Sequence, residues 1–207
     1  MANHVNRKGK EAPGSIVAFG ASSIQGFCDY EKGGFVSRFT LWYCQPGNKR
    51  RVFNLGIGGN TTIDMARRIE REIGERQPEL VIMMLGGNDF PRNNDKNPSV
   101  RTSISVYKKN INAIFSACKG RQILFMTSYP VVVEKTGITL ETHAKYMNCA
   151  REVAQKYKAH IIDVDALLNS KVKYSFMYSD GIHFNAKGHD WLFRLLKSFF
   201  KAKWKTM

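Results

Sequence analysis

Short runs of apolar residues alternate along this chain with longer segments in which apolar residues recur every three or four positions. The first pattern predicts buried β-strands, and the second predicts helices with one apolar face. The predicted strands are residues 16–19, 52–54, 80–85, 122–126 and 160–164. The predicted helices are residues 34–44, 62–74, 100–118, 140–157 and 185–204. Residues 166–178 follow neither pattern clearly.

The order of these elements predicts the fold class. Strands that alternate with helices form a parallel sheet with helices on both faces, joined by right-handed crossovers. Residues 80–85 are apolar without interruption, as expected of a strand covered on both sides. The sequence therefore predicts an α/β protein with a doubly wound, five-stranded parallel sheet. We expect residues 15–207 to form a single domain, preceded by a flexible basic segment, residues 1–14.

Composition adds one unusual feature, a formal charge of +15 from 32 Lys and Arg against 17 Asp and Glu. Such a charge attracts anions, among them nucleic acids, anionic membranes and phosphate-bearing molecules, or serves solubility alone. The basic residues are scattered and no nucleic-acid motif is present, so we expect no specific nucleic acid partner. The sequence does not predict the oligomeric state.

The cysteines and the N-terminal residues bear on the compartment. Cys28, Cys44, Cys118 and Cys149 form no Cys-x-x-Cys pair, which argues against zinc ribbons and favours free thiols in a reducing compartment. The first fourteen residues are polar and basic, with no apolar signal segment. We therefore expect a cytoplasmic protein.

Residues that can carry chemistry follow three of the strands and appear again near the C-terminus. The first predicted strand leads to Ser22, the second to a glycine turn around Gly59, and the third to Asn88. The fourth candidate is Asp180, with His183 three residues later. Because the carboxyl ends of parallel strands lie at one edge of a doubly wound sheet, we expect these segments to converge there.

Together these residue types favour acyl transfer. The hydroxyl of Ser22 needs a base, which His183 provides, and Asp180 fixes the tautomer of the imidazole and stabilises its charged form. The N–H groups of Ser22 and Gly59 and the amide of Asn88 can hold the oxyanion. Each part alone also has a structural explanation, since serine caps turns and glycine permits positive φ. The joint occurrence of all four parts favours catalysis.

The four segments resemble the sequence blocks of the SGNH hydrolases, the superfamily of GDSL-like lipases and esterases. In the family's order they are Gly20-Ala21-Ser22, residues 54–62 with Gly59, Gly86-Gly87-Asn88-Asp89, and Asp180-Gly181-Ile182-His183. The resemblance implies a flavodoxin-like three-layer α/β/α sandwich, with Ser22 as nucleophile, His183 as base and Asp180 as its partner. It also implies that Ser22, Gly59 and Asn88 form the oxyanion hole, and that neither a metal nor an organic cofactor takes part.

The chain departs from the family pattern beside the nucleophile. The Asp of the family is Ala21 here, and the following residue is Ser23, a second hydroxyl in the same turn. Ser22 keeps the family's spacing to Gly20 and Gly26, whereas Ser23 breaks it, so we predict Ser22 as the nucleophile. The chain has no Gly-x-Ser-x-Gly elbow, which argues against an α/β-hydrolase.

Residues next to these segments are candidates for the substrate pocket. They are Ser23, Asp89, Tyr129, Pro130 and Ile182. The loops at residues 91–98 and 131–137 flank the same edge and are expected to select the substrate. His143, His160 and His189 lack the spacing of metal ligands, and we expect them to be structural or surface residues.

These observations favour a serine esterase that hydrolyses short acyl esters, acetyl esters above all, through an acyl-enzyme. The second hypothesis is a thioesterase or lysophospholipase with an anionic, phosphate-bearing substrate, which the basic charge suits. The third is a non-catalytic protein that binds anions or nucleic acid. The last predicted helix has Trp191, Leu195 and Phe199 on one stripe and lysines around it. It either docks on the sheet or offers a basic amphipathic surface to a dimer partner or, in weak association, to an anionic membrane.

Overall fold

The computed structural model describes residues 10–93 and 102–205, and five of their strands form one parallel sheet. In chain order the strands are β1 (Lys10–Glu11), β2 (Ser15–Gly20), β3 (Arg51–Gly56), β4 (Leu80–Met84), β5 (Gln122–Met126), β6 (His160–Ile162) and β7 (Trp204–Lys205). The helices are α1 (Ser22–Gln25), α2 (Gly34–Tyr43), α3 (Thr62–Arg76), α4 (Ile104–Ala117), α5 (Val133–Thr136), α6 (Leu140–Lys156), α7 (Val164–Leu167) and α8 (Ala186–Lys203), with a 3₁₀ turn at Tyr174–Phe176.

The sheet has the strand order β3-β2-β4-β5-β6, and every neighbouring pair is parallel. Counted along the chain, the five strands therefore lie in the order 2-1-3-4-5, which is that of flavodoxin-like folds. The predicted α/β class and five-stranded parallel sheet are confirmed. Gly20, Gly56 and Met84 are in register at the carboxyl ends of three neighbouring strands, so the segments that follow them leave the sheet at one edge.

Each face of the sheet has its own apolar core, because alternate residues of a strand point to opposite faces. In β2, Val17 and Phe19 pack with α3, α4 and α6, whereas Ile16 and Ala18 pack with α2 and α8. All five residues of β4 are buried. The uninterrupted apolar run of this strand therefore reflects its cover on both sides.

Local polar side chains determine several helix ends. Thr61 and Asp64 form a capping box at the start of α3, in which Asp64 accepts the Thr61 N–H at 2.9 Å. Ser103 caps α4, so this helix begins later than the sequence predicts, and residues 100 and 101 lie outside the described part of the chain. Asn185 caps α8 by accepting two backbone N–H groups.

Two predictions about the second half of the chain are wrong. The predicted strand 160–164 ends at Ile162, because Asp163 caps α7 and its side chain accepts the Ala166 N–H. The predicted loop 131–137 contains α5, which ends at Gly137 in the left-handed region with φ 69°. Of the other predicted loop, residues 91–98, only 91–93 are among the described residues.

The C-terminal helix docks on the sheet. Leu192, Leu196 and Phe200 of α8 are fully buried, and Trp191 and Phe199 are half-buried against the same core. The apolar side of α8 is thus covered by the protein itself, and a lipid surface would meet its basic side. No helix within 10–93 or 102–205 combines the length and the apolar character needed to cross a bilayer.

The described part of the N-terminal segment pairs with the end of the chain. Lys10 and Glu11 form a parallel ladder with Trp204 and Lys205. The ring of Trp204 is buried against the core below α8. The division into residues 1–14 and a domain of residues 15–207 stays a prediction.

Candidate active site

The first part of the site is the tight turn after β2. Gly20 ends the strand, and Ser22 is the first residue of the four-residue helix α1. N–H groups in the first turn of a helix have no partner within that helix, so the Ser22 N–H is available to a group outside it. Gly26 ends α1 in the left-handed region with φ 95° and donates its N–H to the Ser22 carbonyl. The turn therefore presents Ser22 at the carboxyl edge of the sheet.

Ser22 lies directly against the predicted base. His183 Nε2 is 2.8 Å from Ser22 Oγ, and His183 Nδ1 is 2.6 Å from Asp180 Oδ2. The contacts fit the tautomer that carries its hydrogen on Nδ1 and accepts the Ser22 hydroxyl at Nε2. Both distances lie in the range over which a positioned side chain transfers a proton.

The carboxyl group of Asp180 is held in its charged form. Burial alone would raise its pKa, but hydrogen bonds from the His183 imidazole and from the N–H groups of His183 and Ile182 outweigh burial and lower the pKa. The Gly181 carbonyl accepts the Val132 N–H at 2.9 Å, which anchors the turn. Asp180 is therefore an anion at neutral pH.

The second hydroxyl of the nucleophile turn has a different partner. Ser23 Oγ is 3.0 Å from the hydroxyl of Tyr129, which accepts the Phe184 N–H at 3.2 Å. Burial raises the pKa of Tyr129 to about 12, so this hydroxyl keeps its proton at neutral pH. Ser23 thus connects the turn to the residue that follows His183, and Ser22 is the serine that faces the imidazole.

The glycine turn after β3 uses its glycines for different reasons. Gly59 has φ 80°, in the left-handed region, within a β-turn closed by the Asn60 N–H. Gly56 is needed for space, because a Cβ there would lie 2.1 Å from the backbone nitrogen of Gln25. The Gln25 side chain also accepts the Gly58 N–H at 2.9 Å. The turn is therefore packed against α1.

Asn88 approaches the same region from the end of β4. Its amide donates a hydrogen bond of 3.0 Å to the carbonyl of Asn60, the residue after Gly59. Ser22, Asn88 and His183 line one cavity, and Gly59 lies in the exposed turn beside it. The structure thus brings together the predicted nucleophile, base and side-chain donor, with the Gly59 turn next to them.

Arg68, which the sequence analysis does not single out, supports this edge of the sheet. Its guanidinium donates to the carbonyls of Gly20 and Leu55 at 3.0 and 2.9 Å, and through Nε to Asn60 Oδ1 at 3.0 Å. It also lies over the ring of Phe19, 4.2 Å from the centroid. One side chain therefore ties the ends of β2 and β3 to the glycine turn.

Asp89 supports the site from behind and does not line the cavity, which corrects its predicted place in the substrate pocket. Its carboxyl group is fully buried and accepts the N–H and the hydroxyl of Thr62, the latter at 2.6 Å. Its pKa is raised by burial. These bonds join the turn after β4 to the start of α3. Pro130 is also buried and lies outside the cavity lining.

The cavity beside Ser22 has a volume of about 40 Å³. Three predicted pocket residues, Ser23, Tyr129 and Ile182, line it. Much of the remaining lining is apolar and includes Met84, Leu85 and Val131. A volume of this size is far below that of a pocket that encloses a whole drug-sized ligand. It suits the acyl part of a small ester.

His189 is buried and supports the other side of the imidazole. It accepts the Phe35 N–H at Nδ1 and donates from Nε2 to the Phe27 carbonyl at 3.0 Å. Its pKa is lowered by burial. The ring of Phe27 meets His183 edge-on, with 4.8 Å between centroids. His143 and His160, the other histidines predicted to be structural or surface residues, contact the rings of Phe90 and Phe199.

Comparison with known proteins gives a consistent picture. The model of the GDSL-like lipase/acylhydrolase family matches residues 18–191, which include every segment of the site. The acetylxylan esterase of Geobacillus stearothermophilus is 24% identical over 147 residues, 67% of each chain. The human isoamyl acetate-hydrolyzing esterase 1 homolog is 23% identical over 172 residues, 73% of this chain and 69% of that protein.

Solved structures support the fold. The crystal structure of the lipase/acylhydrolase from Enterococcus faecalis matches this chain with a TM-score of 0.78 and 20% identity, over 93% of this chain and 98% of that one.

Proposed function

The chain belongs to the GDSL-like lipase/acylhydrolase family and is an ester hydrolase, and we propose that it cleaves short acyl esters, acetyl esters above all, through Ser22, His183 and Asp180. The observation that carries the proposal is the continuous contact from Ser22 Oγ to His183, at 2.8 Å, and from His183 to Asp180, at 2.6 Å. A serine becomes a nucleophile at neutral pH when an oriented imidazole accepts its proton.

In the first step, Ser22 Oγ attacks the acyl carbonyl carbon while its proton passes to His183 Nε2. The Asp180 carboxylate accepts the Nδ1–H and stabilises the imidazolium that forms. The lowered pKa of Asp180 supports this role, because the carboxylate is charged throughout the neutral pH range.

The tetrahedral intermediate places a negative charge on the former carbonyl oxygen. We assign its stabilisation to the N–H groups of Ser22 and Gly59 and the amide of Asn88, each contributing on the order of 2.7–4 kcal/mol to the transition state. The intermediate collapses to an acyl-enzyme as His183 returns its proton to the leaving alcohol. Water then attacks the acyl-enzyme by the same route and releases the acid.

Two observations support a short acyl group. The cavity beside Ser22 is small, with a volume of about 40 Å³, which favours an acetyl group over a long acyl chain. The two relatives described above are named for acetylxylan and for isoamyl acetate, both of which are acetate esters.

The alcohol part of the substrate must lie near His183, because the imidazolium protonates it. Exposed aromatic side chains lie on this side: Phe27 contacts His183, Tyr30 contacts Phe27, and Tyr178 contacts Tyr30. They are 44%, 74% and 38% exposed, respectively. Aromatic faces of this kind favour an alcohol with apolar C–H surfaces, such as a sugar.

Hydrolysis of p-nitrophenyl acetate, butyrate and octanoate by the wild-type protein tests the proposal. We expect kcat/KM to be highest for acetate and at least about tenfold lower for octanoate, because the cavity beside Ser22 is small. A fluorophosphonate probe should label the wild-type protein and not Ser22→Ala. Equal rates on all three esters would refute the acetyl preference, and undiminished labelling of Ser22→Ala would refute the mechanism.

A thioester or a phosphate-bearing ester is the second candidate substrate class, favoured by the formal charge of +15. Acetyl-CoA and an acetylated sugar, added to the same panel, separate the two classes. A preference for the anionic substrate that disappears at high salt would favour the second candidate.

A further inference from the structure

Cys28 lies behind the Asp180–His183 pair, and the proposed reaction gives it no role. Its thiol is free and only 4% exposed. One ligand atom from each of Cys28, Asp180 and His183 lies within 4.8 Å of the others. Across the part of the chain that the structure describes, this is the one group of three such side chains close enough to share a metal ion.

We propose that Cys28, Asp180 and His183 form a binding site for Zn²⁺, and that zinc bound there reversibly inhibits the enzyme. Thiolate, imidazole and carboxylate are the side-chain ligands that zinc takes in proteins. Ligand atoms around tetrahedral zinc lie about 3.3–3.7 Å apart. Side-chain rotations that move the three ligand atoms by roughly one ångström would therefore bring them to these distances. Three protein ligands leave the fourth position to water.

The backbone that carries the thiol is fixed before any metal arrives. Cys28 has φ 68°, in the left-handed region. The next residue, Asp29, accepts the Gly34 N–H at 3.1 Å and two guanidinium contacts from Arg38, at 2.7 and 3.2 Å. In the Asp180 turn, Asp180 Oδ1 accepts the N–H groups of Ile182 and His183, and the Gly181 carbonyl accepts the Val132 N–H. Zinc would therefore bind between two ordered segments, with little loss of chain entropy.

The surface side chain of Tyr30 covers the thiol and gives the metal a route of entry. Tyr30 is 74% exposed, and its hydroxyl lies beside the Cys28 thiol. Because this side chain is largely exposed, it can rotate without disturbing the core. One ligand atom each of Asp180 and His183 lies within 4.8 Å of the sulfur.

Zinc in this position would block the proposed reaction. On ligation the thiol releases its proton to solvent, and the metal takes an oxygen of Asp180 and one nitrogen of His183. If Nδ1 binds, the imidazole loses its bond to Asp180, and if Nε2 binds, Ser22 loses its base. The inhibition rests on the proposed function, whereas the binding of the metal does not.

Titration with Co²⁺, which takes similar nitrogen and sulfur ligands, tests the site directly. We expect one equivalent to produce a thiolate-to-cobalt charge-transfer band that Zn²⁺ removes. Cys28→Ser should lack the band and bind zinc at least about 100-fold more weakly. This loss is larger than the usual loss when a residue that only hydrogen-bonds a metal ligand is removed. Cys44→Ser, which removes a half-buried thiol outside this group, should match the wild-type protein.

Activity provides the second readout. Zinc should inhibit hydrolysis of p-nitrophenyl acetate by the wild-type and Cys44→Ser proteins, and EDTA should restore it. Cys28→Ser should keep its basal activity within about twofold and lose its sensitivity to zinc. Cys28→Ala serves as the second variant, with circular dichroism as the check on folding.

Either a wild-type protein without the cobalt band or a Cys28→Ser variant that zinc inhibits as strongly as wild type would overturn the proposal. If the protein hydrolysed no ester, the proposed function would fail, and the cobalt band would still decide the metal site.

Discussion

His183 contacts both Ser22 and Asp180 directly, at 2.8 and 2.6 Å, whereas the proposed oxyanion donors Gly59 and Asn88 are positioned through neighbours. In the proposed reaction, the first group consists of side chains that exchange or stabilise a proton. The second depends on where a backbone turn and an amide lie. We call Ser22, His183 and Asp180 the activating side, and its proposed role depends on which residue types are present. We call Gly59 and Asn88 the oxyanion side, and its proposed role depends on where a backbone N–H and an amide lie.

This difference predicts two kinds of damage. A substitution on the activating side removes a group that takes part in the chemistry. A substitution at a residue that holds Gly59 or Asn88 in place, such as Arg68, leaves every reacting group present but shifts the oxyanion donors. The second kind should lower kcat by smaller factors and should occur at residues outside the sequence motifs.

The largest effect is expected at Ser22. Ser22→Ala removes the nucleophile and should lower kcat for p-nitrophenyl acetate by at least about 10⁴-fold. Ser23→Ala loses the contact with Tyr129 and should stay within about tenfold of wild type, because Ser22 and His183 remain in place. Steady-state kinetics on both purified variants provide the measurement. The assignment of the nucleophile would be wrong if Ser22→Ala kept its activity and Ser23→Ala lost it.

The next effect is expected at Asn88. Asn88→Ala removes one proposed donor and should lower kcat by about 10²–10³-fold with little change in KM. Asn88→Asp has nearly the same size but replaces the N–H groups by a negatively charged oxygen, so it should be at least as slow. If Asn88→Asp instead approached wild-type activity, the side chain would be filling space and not donating to the oxyanion.

A smaller effect is expected at Arg68, which holds the glycine turn without lining the cavity. Arg68→Met should lower kcat by roughly 10–10²-fold, the range expected when donors shift by about an ångström. KM should change little, and Arg68→Lys should recover part of the loss.

The matched control for this experiment is Arg71 on the same helix. Its side chain is 83% exposed and pairs only at the surface with Glu75. Arg71→Met should leave kcat unchanged. A loss of thermal stability in Arg68→Met with unaltered kcat would make Arg68 a structural residue only.

Most of the fold could be predicted from the sequence because its strands are covered on both faces. A strand such as β4 must then be apolar throughout, and its length can be read from the chain. The residues proposed as catalytic could be selected from the sequence because proton transfer requires particular residue types. Ser22 and Asn88 follow strands that the apolar pattern already delimits, and Asp180 and His183 shortly precede the last predicted helix.

The supports could not be predicted because they depend on how helices dock. Arg68 is separated by 48 residues from Gly20, whose carbonyl it binds, and periodicity does not show which arginine of α3 turns inward. Asp89 lies next to Asn88 in sequence but points to Thr62 and not to the cavity. The early end of β6 likewise depends on a local cap at Asp163.

The smallest expected effect is a change in the pH dependence of stability, and it concerns His189. This residue binds the Phe27 carbonyl, and the Phe27 ring contacts His183. Burial lowers the pKa of His189 below the ordinary 6.5, so the unfolded chain binds a proton at this residue more readily than the folded protein. The stability that this residue contributes is therefore complete above about pH 6.5 and is lost as the pH falls below it. The slope for one proton is at most about 1.4 kcal/mol per pH unit.

Urea unfolding at pH 7.5 and pH 5.5 measures this loss. His189→Gln keeps an acceptor and a donor for Phe35 and Phe27 but does not titrate, so its free energy of unfolding should fall less between the two pH values than that of wild type. His143, whose pKa burial also lowers, remains in both proteins and contributes equally to each. Equal losses of unfolding free energy in the two proteins would show that His189 takes up no proton when the protein unfolds, which would contradict a lowered pKa in the folded state. A flatter profile for the variant would show that the folded protein holds the His189 imidazole in its neutral form.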